Sequence, residues 1–145
     1  MDGADLMRRV AAGFEKSNLQ PLLDAMHEDI VWKTASKQEG VFRFGGEYKG
    51  RPGVLDVLSK ISLDYTFQRL TPKEILANGD VVWGLFDAAL SFDPKGQSVP
   101  SNSVNLDMAI HWRLKDGKII EHQAFFDTAA LLMQQGRLSG TAPPP

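Results

Sequence analysis

The stretch from Trp112 to Asp127, W-R-L-K-D-G-K-I-I-E-H-Q-A-F-F-D, constrains the fold more than any other part of the chain. It reads as a β-hairpin running straight into a helix. Asp116-Gly117 supplies the positive φ angles that a two-residue type I′ turn needs. Ile110, Trp112 and Leu114 alternate on one arm, and His122, Ala124 and Phe126 on the other, so one face of the hairpin is apolar except for an imidazole. Asp127 then opens a helix expected over Thr128 to Gln135.

The preceding chain supplies what such a hairpin can pack against. Residues 2–17 read as an amphipathic helix, with Leu6, Val10 and Phe14 at a spacing of four and Asp2 and Asp5 near its N-terminus. Pro21 suits the first turn of a short second helix, at whose end His27 would meet the negative end of the dipole. Ile30 to Ala35 reads as a strand with Ile30, Trp32 and Thr34 on one face. Gln38 to Gly50 is a glycine-rich loop carrying Val41, Phe42, Phe44 and Tyr48, enough apolar side chains to fold over something apolar. A third helix starts near Pro52.

Two long strands come next, from Leu63 to Ala77 and from Asp80 to Phe92, with Asn78-Gly79 as the hairpin signal between them. Pro72 implies an edge position or a bulge. The second strand is apolar on both faces, so both should be covered. A polar loop follows, and then Val104 to Leu114 leads into the hairpin. Residues 136–145, ending in three prolines, are expected to be a disordered tail on a single domain spanning 1–145. The whole is α+β, with the helices segregated to one face of a curved sheet.

Bulk properties narrow the function classes. A chain of 145 residues fits one domain with room for a core or an internal pocket. Net charge is −2 and basic residues alternate with acidic ones, which disfavours nucleic acid and anionic membranes as partners. With no cysteine, thiolate chemistry and Cys-based zinc sites are out of reach, and a reducing, cytoplasmic location is expected. Three scattered histidines do not suggest a metal cage. No apolar run approaches the ~18 residues of a membrane span.

Four segments carry a family resemblance: M-H-E-D-I-V-W at residues 26–32, G-G-E-Y-K-G-R-P-G-V-L at 45–55, A-N-G-D-V-V at 77–82, and H-W-R-L-K-D-G-K-I-I-E-H-Q-A-F-F-D-T at 111–128. Together they resemble the nuclear transport factor 2-like superfamily, in particular its SnoaL-like polyketide cyclase and ketosteroid isomerase-related branch, across roughly residues 5–135. The resemblance implies a cone-shaped, cystatin-like roll in which a curved, mostly antiparallel sheet wraps around N-terminal helices. It also implies a homodimer through the outer sheet face. The oxyanion donors and base of the ketosteroid isomerases would fall at Val10, Ile110 and Thr34, which lack that chemistry. The Arg and Asp of the limonene-type epoxide hydrolases would fall at Phe86 and Ala88, whereas their last-strand Asp is matched by Asp127. The SnoaL-like cyclases resemble this chain in a late-strand carboxylate with a His nearby.

The candidate catalytic residues are Asp127, His122 and Tyr48. Asp127 is either a general base or the N-cap of the last helix. His122 is either a proton shuttle or a buried, hydrogen-bonded core residue. Strict alternation sets the two on opposite faces of the strand. Tyr48 would donate to an oxyanion. Phe14, Trp32, Thr34, Phe86, Ile110, Trp112 and Phe126 are the expected ligand-binding wall, with ordinary core packing as the alternative. Trp83, Asp87, His111 and Arg113 point outward and are the expected dimer contacts. The chain is therefore read as a pocket protein for a small apolar, often cyclic molecule. It would be a cofactor-free, metal-free acid/base isomerase, cyclase or dehydratase, or else a non-catalytic binder or an epoxide hydrolase relative.

Overall fold

The computed structural model describes residues 2–36, 40–96 and 102–137. The first helix, α1 (Gly3–Glu15), is capped by Asp2, whose carboxylate accepts the Asp5 N–H at 2.8 Å. Its buried stripe is Met7, Val10 and Ala11. α2 (Gln20–Ala25) has Pro21 in its first turn and gives way at once to strand β1 (Met26–Lys33). His27 is therefore a strand residue and does not end a helix. Its Nδ1 accepts the Asp29 N–H at 3.0 Å, and the expected interaction with the α2 dipole is not what holds it.

The glycine-rich loop contains a strand the sequence did not signal, β2 (Glu47–Lys49), antiparallel to β1. Helix α3 (Gly50–Asp64) follows with Pro52 in its first turn and buries Val54, Val57 and Leu58. Then come β3 (Tyr65–Asn78), β4 (Val81–Phe92), β5 (Asn102–Lys115), β6 (Lys118–Phe126) and α4 (Thr128–Gln134). Among the described residues the sheet has six strands in the order β2-β1-β6-β5-β4-β3. Every neighbouring pair is antiparallel except β1 and β6, which run parallel. The architecture is the expected α+β one, an open curved sheet.

Turn chemistry sets the register. Asp116 and Gly117 have φ of 53° and 75° between the paired residues Lys115 and Lys118, as a type I′ turn requires. At the β3–β4 turn Asn78 pairs with Val81, so the two loop residues are Gly79 and Asp80, one position later than the Asn-Gly signal suggested. Pro72 sits on the edge strand β3 and beside a bulge, where its missing N–H costs no ladder bond.

Alternation then decides what faces inward. Phe86 and Ala88 of β4, Met108, Ile110 and Trp112 of β5, and His122 of β6 are buried on the concave side. α1 crosses this side, and Gly84 of β4 makes room for it: a Cβ there would lie 2.6 Å from the Met7 sulfur and 2.5 Å from the Phe86 ring. The loop before β2 folds inward as expected, burying Phe42 and Phe44 with ring centroids 5.0 Å apart. Gly136 (φ 81°) and Arg137 finish α4, their N–H groups bonding Met133 and Leu132 carbonyls. The rest of the tail lies outside the described residues. No described helix is long and apolar enough to cross a membrane.

Candidate functional site

Between the concave face of the sheet and the helices lies a cavity of about 100 Å³. That is several times the ~10–15 Å³ needed to admit one water molecule. α1 contributes Met7, Val10, Ala11 and Phe14, and α4 contributes Leu131. The sheet supplies most of the remainder, including Trp32, Tyr65, Phe86, Ile110, Trp112, His122 and Phe126, and the loop adds Phe44. The wall is almost wholly apolar because the alternating strands send their hydrophobic side chains to this face.

One row of paired residues crosses four strands of the sheet, and three of these residues border the cavity. The register pairs Tyr48 of β2 with Trp32 of β1, Trp32 with His122 of β6, and His122 with Trp112 of β5. The Trp112 indole N–H donates to His122 Nδ1 at 3.0 Å. The Trp32 ring stacks on the imidazole with centroids 3.6 Å apart and planes within 16°. His122 is only 6% exposed. Burial, and secondarily the charge of His111, pushes its pKa down to about 3, so the ring is neutral in ordinary buffers.

The other polar groups of the wall are engaged in holding the structure. Thr34 Oγ1 accepts the Gly46 N–H at 2.8 Å and lies within donating distance of the Ser36 and Gly46 carbonyls, pinning the loop to the end of β1. The Tyr65 hydroxyl donates to Gln135 Oε1 at 2.5 Å, and burial together with the Asp64 charge raises its pKa. Lys33 reaches away from the cavity to Glu121 at 3.0 Å, a contact that holds the Glu121 carboxyl below its usual range.

A sequence profile described as a SnoaL-like domain matches residues 7–122. The chain belongs to the SnoaL-like family. Solved structures of the same fold include an NTF2-like protein of unknown function from Burkholderia pseudomallei K96243. It is 21% identical with a TM-score of 0.78, and the match covers 94% of this chain and 99% of that one. IdmH from Streptomyces antibioticus, named as a candidate polyketide cyclase, is 21% identical with a TM-score of 0.71 over 94% and 99% of the two chains. TerC, co-crystallised with polyporic acid, is 23% identical with a TM-score of 0.72 over 90% and 95%. At such identities the likeness speaks for the fold. None of the curated protein sequences compared matches the chain.

Of the residues nominated for this SnoaL-like site, Phe14, Trp32, Thr34, Phe86, Ile110, Trp112, His122 and Phe126 border the cavity. Tyr48 and Asp127 do not. The Tyr48 hydroxyl lies within donating distance of the Phe44 and Gly45 carbonyls, at 3.1 and 3.2 Å, and accepts from Lys60 at 3.3 Å. Its oxygen secures the loop and is not presented to a ligand. Asp127 is exposed and caps α4, its Oδ1 accepting the Ala130 N–H at 3.0 Å. The chain leaves the strand at Phe126, so the carboxylate and His122 do not converge on one space. Wall residues that sequence reasoning left out include Met7, Phe44, Tyr65, Met108 and Leu131. Met108 was reachable by extending the Ile110–Trp112 alternation; Leu131 required knowing how α4 folds back.

On the convex face Trp83, Leu85 and Phe125 are 46%, 39% and 41% exposed. Trp83 packs against His111, with centroids 4.6 Å apart, and against Phe125 at 6.2 Å. Asp87 pairs with Arg69 at 2.8 Å, and Arg113 lies 3.6 Å from Glu121. Among the described residues no group of three His, Cys, Asp or Glu side chains gathers where it could hold a metal ion.

Proposed function

We propose that this SnoaL-like protein binds a small, mostly apolar molecule in the cavity between α1 and the sheet. The observation that carries the reading is an apolar wall containing a single buried imidazole in a fixed orientation. Sites of this kind take their affinity from apolar contact and their specificity from a few placed polar groups. The co-crystallisation of TerC, a protein of the same fold, with polyporic acid is consistent with such a role.

Binding without catalysis fits the geometry better than acid/base chemistry. An isomerase, cyclase or dehydratase needs a group at the cavity that can take or give a proton near neutral pH. Asp127 and Tyr48 face elsewhere, and the His122 lone pair is already committed to Trp112. Native mass spectrometry of the purified protein, followed by denaturing extraction, tests the binding reading. A co-purifying apolar compound that is lost when Ala124→Phe fills part of the cavity is the expected result. Equal capture by both proteins would move the ligand to another site.

We further propose that a second copy of the chain covers the convex face, around Trp83, Leu85 and Phe125. Three large apolar side chains at the middle of a sheet face, rimmed by ion pairs, have the composition of an interface core and rim.

A further inference from the structure

We infer that His122 selects the ligand: its Nε2–H binds the acceptor oxygen of a neutral, otherwise apolar molecule, such as a cyclic ketone. This rests on the ligand-binding reading above and adds the chemical class of what binds.

An indole N–H can only donate, so His122 Nδ1, which receives the Trp112 hydrogen bond, carries no proton. A neutral imidazole must then carry its single proton on Nε2. Trp32, stacked at 3.6 Å, holds the plane of the ring, so both the identity and the direction of the donor are set by two neighbouring strands. Burial keeps the ring in this neutral form.

Nε2 has no hydrogen-bond partner among the described residues, where the solvent-sealed side-chain atoms without a hydrogen bond are Gln135 Nε2 and Asp64 Oδ1, the latter ion-paired with Arg43 at 3.1 Å. His122 Nε2 is not one of them, and the residue borders the cavity, so this atom opens onto it. Around it the remaining polar side-chain atoms are occupied: Thr34 Oγ1 by the loop, the Tyr65 hydroxyl by Gln135, Lys33 Nζ by Glu121. The Trp32 indole nitrogen, which has no hydrogen bond among the described residues, is likewise a donor. Among the described residues the wall thus keeps two free N–H donors, whereas the hydroxyl protons of Thr34 and Tyr65 are already given to other groups. A carbonyl oxygen would find a partner there. A carboxylate would lose its water with no unpaired cation to replace it, since Lys33 is held by Glu121.

The test uses cyclohexanone and methylenecyclohexane, which differ by O in place of CH₂, with the full-length protein. Affinities come from NMR titration of the wild type and of His122→Phe. Comparing the two probes in both proteins cancels their different hydration and any change of cavity shape. The ketone's affinity relative to the alkene should fall about two- to tenfold in the variant, the range of one net hydrogen bond. In parallel, ¹⁵N spectra of the wild-type imidazole at pH 7 should show Nε2 protonated and Nδ1 not, with the Nε2–H proton moving on addition of cyclohexanone and not of methylenecyclohexane. That measurement decides the matter even if the variant fails to fold. A ring protonated on Nδ1, or an unchanged affinity ratio with both probes bound, overturns the inference and leaves a general apolar pocket. Failure of both probes to bind the wild type overturns the ligand-binding reading itself.

Discussion

His122 can stay buried only while it stays neutral, and this ties stability to pH. Its pKa in the folded protein lies near 3, below the ordinary value of about 6.5 that it regains on unfolding. The unfolded chain therefore binds the extra proton first. Stability is complete above about pH 6.5 and falls as pH drops towards 3, by about 1.4 kcal/mol per unit. Urea unfolding at pH 7 and pH 4.5 should differ by about 2–3 kcal/mol on account of this residue. The difference should shrink by that amount in His122→Phe; an equally steep loss in the variant would assign the pH dependence to other groups. Gly84 makes a second residue-scale case. The atoms that a Cβ would strike belong to the buried side chains of Met7 and Phe86, which could retreat only into the cavity that both of them line. Gly84→Ala should cost about 1–3 kcal/mol in the same assay, as overpacking does. Of the site, strand alternation made Trp112 and His122 visible on one hairpin face and Trp32 as a further wall residue, but it could not show the parallel pairing that stacks Trp32 on His122. It could not show that the Tyr48 hydroxyl and Thr34 Oγ1 would be used up by loop carbonyls and amides, because those contacts depend on how residues 40–46 fold.

Among the elements, α4 shows how one carboxylate can be read in two ways. The sequence placed Asp127 at the strand-to-helix junction correctly, but position alone does not distinguish a cap from a base. The 3.0 Å bond to the Ala130 N–H shows the cap. Asp127→Ala should therefore destabilise the protein by about 0.5–2 kcal/mol while leaving ligand affinity unchanged within error. A large loss of binding at intact stability, measured by titration beside thermal melts, would count against this. The hairpins and long strands were legible because their turn residues and period-2 alternation agree. β2 was not, because three residues between glycines carry too little pattern to signal a strand, and a loop with no tight-turn signal joins it to its partner β1. His27 was misplaced because α2 is only six residues long and ends two residues before it, at Ala25.

For the molecule as a whole, the convex face sets the oligomeric question. β4 is apolar on both sides, and the expectation that both are covered is met by helices on the concave side alone. Trp83→Lys should convert a dimer to a monomer in light scattering coupled to size-exclusion chromatography, with no loss of cavity binding. A monomeric wild-type protein at tens of micromolar would refute the proposed interface.

The parallel pairing of β1 with β6 also governs when this molecule can form. Lys33 and Glu121, joined across that seam, are separated by 88 positions in sequence. On the ribosome, β1 and β2 emerge early and must wait for nearly the whole chain before their place in the sheet exists. Until β6 arrives, β1 has an unpaired edge, and the Trp32 face has no imidazole to lie against. Assembly is therefore bound to be late and governed by long-range closure, which slows folding and lengthens exposure of apolar strands to aggregation. A nascent chain stalled before Lys118 would carry most of the wall of the cavity and still have no cavity.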